Sequence, residues 1–184
     1  MLRQDARRLS CAETAKLVRN AVRQAFPKCR FAVRSKTYSG GASIDVEWAD
    51  GPAATDVDAI VKRFEGAGFD GMIDLQTYNQ HWLTPDGRVS WAEVGIGHSF
   101  PGEHRHYPAP HPDAELVSFG ADYVFAHRRY SVSFLSRVAG EVCKARGWKP
   151  PEVLDSDCGA YVRCGNYERE RAIWQAAEAT ACDD

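Results

Sequence analysis

Long hydrophobic runs are absent from this chain, and none approaches the roughly 20 consecutive apolar residues that a transmembrane helix needs. The residues from Met1 to Arg8 are largely polar and basic and lack the apolar centre of a secretory leader. These absences argue against a membrane protein and against an exported one. We therefore expect a soluble protein of the cytoplasm that has no membrane partner.

Signatures of common catalytic and nucleotide-binding sites are also absent. The sequence has no Gly-x-Ser-x-Gly elbow and no phosphate-binding loop, and Gly95-Ile96-Gly97 lacks the third glycine of a dinucleotide fingerprint. A serine, histidine and aspartate set can be assembled from Ser118, His127 and Asp122, but no local motif supports it. We assign no catalytic residues, and an enzyme is the minority interpretation.

Cysteine pairs with metal-ligand spacing are missing. The chain has six cysteines but no Cys-x-x-Cys pair, and Cys158 and Cys164 lie six residues apart. This spacing does not match a zinc site, and nothing in the sequence signals export to an oxidising compartment. We predict free thiols.

Glycine, proline and histidine are concentrated between Gly95 and Pro112, where the sequence shows no period of a strand or a helix. We predict a long irregular loop there, which is often functional in a compact domain. Four histidines fall in it: His98, His104, His106 and His111. Solvated imidazoles are the main interpretation, and a metal site or a general base stays open. We predict no cofactor and no bound metal.

The charge of the chain is strongly divided. Residues 1 to 36 contain ten basic and two acidic residues, a net charge of +8, whereas the remainder carries −10 and the whole chain −2. Such asymmetry is typical of proteins that bind an acidic partner, nucleic acid above all. A solvated charged face with no partner is the alternative.

A glycine pair joins two alternating segments between Val33 and Trp48. Apolar side chains fall on one side of the predicted strands and charged ones on the other, as a half-buried antiparallel pair requires. Gly40 and Gly41 suit a tight turn. The main-chain N–H groups of such a turn, with Lys36 close by, can also form a small anion site.

Helices are predicted on both sides of this hairpin. Ser10 and Glu13 form a capping box, and an apolar stripe follows it as far as Phe26. Thr55 or Asp56 is expected to cap a second helix that ends at Gly66 or Gly68. Both helices should cover the apolar face of the hairpin and leave Arg34 and Lys36 exposed.

The second half of the chain predicts a smaller aromatic sheet with a Pro-Asp-Gly turn at residues 85 to 87, a buried strand from Ala121 to Ala126, and two further helices. One helix runs from Ser131 to about Arg146 and ends at Gly147, and the last is capped by Asn166. The expected fold class is α+β, with a two-layer helix-hairpin-helix unit packed with a second small antiparallel sheet and helices. We predict one domain, 1–184, with the first unit at 10–75 and the second sheet, loop and C-terminal helices at 76–184.

The candidate binding residues are the cations of the first helix and hairpin, the residues of the hairpin turn, and an arginine pair that precedes the third helix: Lys16, Arg19, Arg23, Arg34, Lys36, Tyr38, Ser39, Gly40, Gly41, Arg128 and Arg129. Cations mixed with aromatic side chains are typical of surfaces that hold phosphates and stack bases.

Three blocks of the chain, Val33 to Ile44, Phe64 to Asp74 and His111 to Asp122, resemble the large polyvalent-protein-associated domain family, type twenty-nine. Ser10 to Glu13 and Arg129-Tyr130-Ser131 fit the same family. The resemblance implies an accessory module of phages or conjugative elements that acts in the cytoplasm of a host bacterium, in counter-defence or DNA establishment. It supplies no catalytic residues.

The predicted function is therefore a non-catalytic protein of a mobile element that binds nucleic acid or a host complex that handles nucleic acid. An inhibitor that binds a host immune protein through a protein interface is the second interpretation. A metal-assisted hydrolase that uses the histidine-rich loop is the third.

Overall fold

A computed structural model describes residues 5–70, 74–95 and 104–181. Its elements, in chain order, are β1 (Arg7–Arg8), α1 (Cys11–Ala25), β2 (Ala32–Tyr38), β3 (Gly41–Ala49), α2 (Ala54–Val61), β4 (Ala67–Asp70), β5 (Leu75–Tyr78), β6 (Gln80–Leu83), β7 (Val89–Gly95), β8 (His104–His106), β9 (Glu115–Ser118), β10 (Tyr123–Arg129), α3 (Val132–Arg146), β11 (Glu152–Leu154), β12 (Tyr161–Arg163) and α4 (Tyr167–Ala179). This content confirms the α+β class.

The N-terminal unit is a three-stranded sheet in the order β10-β3-β2. The hairpin of β2 and β3 is antiparallel, as predicted, and Val33, Ile44 and Val46 are buried on one face with Val18 and Val22 of α1. Helix α2 packs on the same face through Val57 and Val61, so both helices cover the apolar side of the hairpin.

The third strand of this sheet comes from the second half of the chain. Strand β10 pairs in parallel with β3, with Val124 beside Ile44 and Ala126 beside Val46. Sequence analysis placed this segment outside the N-terminal unit, because its partner lies about 80 residues away and no local pattern identifies a partner at that distance. The side chains of Lys62 and Glu65 bind the main chain of Val124 on the strand's other edge, at 3.1 Å from its oxygen and 3.0 Å from its nitrogen.

The two helices of this unit start differently. Helix α1 has the predicted capping box, in which Ser10 Oγ accepts from the Glu13 N–H at 3.2 Å and Glu13 accepts from the Ser10 N–H at 2.8 Å. The predicted cap of α2 at Thr55 or Asp56 is wrong. The helix begins earlier because Pro52 and Ala53 are buried in the preceding turn, where Trp48 Nε1 donates to the Pro52 oxygen at 3.0 Å.

Helix α2 also ends earlier than predicted. It is followed by a 3-10 turn, Lys62–Phe64, so it stops before Gly66 and Gly68. Gly66 has another role, since a Cβ there would lie 2.4 Å from the main-chain oxygen of Phe119. The glycine therefore permits close packing of two chain segments.

The second sheet has the order β1-β9-β6-β7-β8. Its pairings are antiparallel except that β1, at the N-terminus, runs parallel to β9. The predicted irregular loop is partly wrong, since residues 104–106 form β8 and pair with β7. His98 and the rest of 96–103 lie outside the described residues.

The C-terminal part of the chain has a hydrophobic cluster of its own. Leu135 and Cys143 of α3, Val162 of β12 and Ile173 of α4 are buried there. As predicted, α3 ends at Gly147, in the left-handed conformation with φ of 66°, and α4 is capped by the Asn166 side chain. No helix among the described residues is long and apolar enough to cross a membrane.

Candidate functional site

A basic stripe on α1 lies beside the edge strand β2. Lys16, Arg19 and Arg23 are spaced by three and four residues, so they share one side of the helix. Arg19 Nη2 donates to the main-chain oxygen of Val33 at 2.9 Å, which ties this side of the helix to β2. Lys16 and Arg23 are exposed.

The same strand carries two further exposed cations. Arg34 and Lys36 lie on the face of the sheet that the helices leave open, as predicted, and the side chain of Arg34 is 68% exposed. The structure therefore brings five of the predicted residues together around one strand: Lys16, Arg19, Arg23, Arg34 and Lys36. We call this set the basic edge.

The acidic residues next to the basic edge are paired. Glu47 accepts from Arg34 at 3.1 Å and from Arg129 at 3.3 Å, and Asp45 lies 3.3 Å from His127 Nε2. These carboxylates lie on β3, between the cations of β2 and those of β10. Among the described residues, Lys16, Arg23 and Lys36 form no ion pair, which leaves a net positive charge along the edge strand, from Lys16 and Arg23 on its helix side and from Lys36 on its open face.

The hairpin turn faces a cleft of about 900 Å³, together with Tyr78, Asn79 and Asp122. Gly40 has a φ of 91°, as the prediction of a tight glycine turn requires. Asp122 Oδ2 accepts from the Ala42 N–H at 2.9 Å, and Tyr38 lies against Gly41, where a Cβ would be 2.9 Å from its ring. A carboxylate thus takes a main-chain donor at the turn and repels a phosphate, so we leave Tyr38, Ser39, Gly40 and Gly41 out of the basic edge.

Arg128 and Arg129 are not brought together with the cations of α1. They lie on β10, which is separated from β2 by β3. The Arg128 guanidinium donates to five main-chain oxygens, those of Asp50, Gly51, Ala177, Glu178 and Thr180. Its donors are used to join the end of α4 to the turn after β3. Arg129 pairs with Glu47 and donates to the Asp157 oxygen.

The arrangement of the described residues supports neither the serine, histidine and aspartate set nor a metal site at the histidine-rich loop. Asp122 precedes β10 and His127 is the fifth residue of that strand, so the two lie five residues or about 16 Å apart along extended chain and do not form a triad with Ser118. His106 lies 3.8 Å from Glu93, and His111 3.8 Å from Asp113. In the described ranges no three potential ligands cluster closely enough to hold a metal ion.

The described cysteines are free: Cys11, Cys29, Cys143, Cys158 and Cys164. This agrees with the prediction of free thiols, and Cys182 lies outside the described residues. Burial raises the pKa of the Cys11 and Cys29 thiols, so both are less reactive than an exposed cysteine.

A row of rings on β10 was missed by the sequence analysis, which interpreted this strand as buried. Tyr123, Phe125 and His127 alternate with Val124 and Ala126 and point to the open face of the sheet, where Phe125 is 42% exposed. The signal was present as an alternation of period two, but rings on one side and aliphatic groups on the other are equally typical of a strand buried on both faces.

Comparison with known proteins gives one result. No curated protein and no solved structure matches the chain. The family described as large polyvalent protein associated domain 29 matches residues 9–131. This range starts just before α1 and ends at the Ser131 cap of α3, so it includes the three-stranded sheet and all of the five-stranded sheet except β1, and it leaves out the C-terminal cluster. The chain therefore belongs to the large polyvalent protein associated domain 29 family.

Proposed function

We propose that the protein binds nucleic acid through the basic edge and acts without catalysis as an accessory protein of a mobile genetic element. The observation that carries this proposal is the hydrogen bond from Arg19 to the Val33 oxygen, which ties the basic stripe of α1 to the strand that carries Arg34 and Lys36. The α1 cations on the helix side of the sheet and the β2 cations on its open face thereby meet along one edge, where a phosphate backbone that follows this edge can contact both.

The chemistry of the basic edge suits phosphates. Arginine presents a planar set of donors to phosphate oxygens and lysine a compact charge. Lys16, Arg23 and Lys36 are exposed, and Arg23 and Lys36 can meet a phosphate without first breaking an ion pair among the described residues. Arg34 shares Glu47 with Arg129 in a weak, solvent-exposed ion pair. A phosphate can replace Glu47 as the partner of Arg34 at little cost in free energy.

The family supplies the biological setting of the proposal. A domain associated with polyvalent proteins of mobile elements acts near invading nucleic acid, where a counter-defence protein either covers that nucleic acid or binds a host complex that handles it. Both cases require a surface that recognises phosphates or an acidic mimic of them, and the basic edge provides one.

A charge-removal variant tests the proposal. Arg23→Ala combined with Lys36→Ala removes two exposed cations that hold no part of the fold. We expect weaker binding to DNA and RNA of any sequence. The dependence of log affinity on log salt should become shallower by roughly 1 to 2, since each lost phosphate contact contributes about 0.7 to 0.9. Fluorescence anisotropy with labelled oligonucleotides at low and moderate salt measures both quantities.

The matched control is Lys144→Ala combined with Arg171→Ala, which removes the same charge from exposed sites on α3 and α4. Equal losses in the two variants would show that net charge, not the basic edge, controls binding. If the unaltered protein binds no oligonucleotide even at low salt, the proposal is wrong, and the basic edge is better explained as a docking surface for an acidic host protein.

A further inference from the structure

The open face of the three-stranded sheet carries a row of rings beside the basic edge. Tyr123, Phe125 and His127 follow one another on the outer side of β10, and successive ring centroids are 6.2 Å apart at both steps. Phe125 is exposed to solvent, and the His127 side chain is 53% exposed. Neither helix of the N-terminal unit covers this face, because both pack on the opposite one.

Tyr123 is half-buried, whereas Phe125 and His127 are exposed. Neighbouring rings that are open to solvent on one face indicate a binding surface, because apolar surface in contact with water is unfavourable. The spacing restricts what fits. At 6.2 Å the rings are almost twice as far apart as stacked bases, whose rise is about 3.4 Å per nucleotide. Bases that contact successive rings must therefore be separated from one another, which a single strand permits and a duplex does not.

Cations flank the row on both sides. On one side of β3, Arg34 lies beside Asp45 and Lys36 lies beside Ser43. On its other side, Asp45 lies beside Phe125 and Ser43 lies beside Tyr123. Two of the three rings, Tyr123 and Phe125, are thus aligned with a cation two strands away, about 10 Å at the usual strand spacing. At the outer edge, Lys62 Nζ lies 5.8 Å from the Phe125 ring centroid.

From this arrangement we propose that the open face binds single-stranded nucleic acid, with bases on Tyr123, Phe125 and His127 and phosphates on Arg34 and Lys36. The inference rests on the proposed function, because it uses two cations of the basic edge, and it adds the class of nucleic acid and a site for the bases. Asp45 and Glu47, half-buried in the strip between rings and cations, offer hydrogen-bond acceptors to base edges.

The unaltered protein allows the first test. Anisotropy titrations at one salt concentration compare a pyrimidine-rich single strand, its duplex, and an abasic strand of the same length and charge. We expect the single strand to bind about tenfold or more tightly than the abasic strand, since stacking on one ring contributes roughly that much per base. It should also bind more tightly than the duplex. Equal affinity for the normal and abasic strands would overturn the inference.

A pair of variants gives the second test. Phe125→Ala removes an exposed ring from the row, and Tyr167→Ala removes a ring that is 76% exposed on α4, away from the sheet. We expect Phe125→Ala to weaken single-strand binding roughly tenfold without changing the salt dependence, and Tyr167→Ala to have no effect. Thermal melting of both variants checks that they are folded.

The two tests separate this inference from the proposed function. If Arg23→Ala with Lys36→Ala weakens binding while Phe125→Ala and the abasic strand change nothing, the basic edge binds phosphates and the ring row has no part in binding. If no nucleic acid binds at low salt, both proposals are wrong. If the preference for normal strands is present and is lost in Phe125→Ala, the ring row is the base-binding site.

Discussion

At the scale of single residues, His81 combines complete burial with two unpartnered nitrogens. Its ring lies between Trp91 and Phe119, with centroids 4.6 and 4.5 Å away, and among the described residues neither Nδ1 nor Nε2 has a hydrogen-bond partner. Burial lowers the pKa of His81 to about 3, because a charged imidazole would be out of contact with water. The folded protein holds this histidine neutral.

This burial predicts a pH dependence of stability. In the unfolded chain a histidine takes up a proton below about pH 6.5, whereas folded His81 does so only near pH 3. The contribution of neutral His81 to the unfolding free energy is therefore fully present above pH 6.5, and it is lost as the pH falls towards 3. We expect His81→Phe to remove about 1.4 kcal/mol per pH unit from the slope of the unfolding free energy in that window. Urea denaturation of both proteins between pH 4 and 7 measures the slopes.

The carboxylates also change the unfolding free energy with pH, but they contribute equally to both proteins, so their effect cancels in the difference between the two slopes. At pH 7 the phenylalanine variant should be at least as stable as the unaltered protein, because it keeps the ring contacts and removes two unpartnered nitrogens. Parallel slopes in the two proteins would contradict the burial of a neutral imidazole.

At the scale of the element, β3 carries a carboxylate that pairs with cations of both neighbouring strands. Glu47 holds Arg34 of β2 and Arg129 of β10 at the same time. Glu47→Gln should strengthen nucleic-acid binding by about threefold, because it removes a negative charge close to the phosphates and releases both guanidinium groups. Glu141→Gln, which breaks the pair between Arg137 and Glu141 within α3, is the control. Anisotropy at low salt distinguishes them, and equal affinities would mean that Arg34 contacts no phosphate.

Elements whose limits depend on neighbouring residues could be predicted from the sequence. The capping box at Ser10, the glycine turn of the hairpin and the end of α3 at Gly147 each rest on residues within four positions of one another. The start of α2 could not be predicted, because it depends on how Trp48 packs on the turn before the helix.

The candidate site could likewise be predicted only where it depends on residues close together in the sequence. The stripe of α1 was visible in the sequence, whereas the link from Arg19 to Val33 and the role of Arg128 in binding main-chain oxygens require the folded chain.

At the scale of the whole molecule, two hydrophobic clusters divide the chain. One lies under the three-stranded sheet and extends to Val117 and Phe119 of the second sheet, and the other holds α3, α4 and the hairpin of β11 and β12. The family match ends where the second cluster begins. The basic edge and the ring row both belong to the first cluster's unit, so we expect the proposed binding not to require the C-terminal cluster.

A core substitution in the second cluster tests this division. Leu135 is fully buried, and Leu135→Ala should cost about 2 to 5 kcal/mol of local stability. We expect hydrogen exchange to accelerate over residues 132–179 first, while α1 and β3 stay protected and nucleic-acid binding is unchanged. Val46→Ala, in the first cluster, should show the reverse pattern. Simultaneous loss of protection in both clusters would show that they unfold as one unit.

The contacts of Val33 and Val124 bear on how the protein meets other chains. A strand at the border of a sheet normally invites another strand to extend it. Here Arg19 donates to the Val33 oxygen of one border strand, while on the other Lys62 donates to the Val124 oxygen and Glu65 accepts from the Val124 N–H. An incoming backbone must displace these side chains before it pairs. We therefore expect the sheet to resist growth into aggregates along both borders, while its broad open face stays accessible.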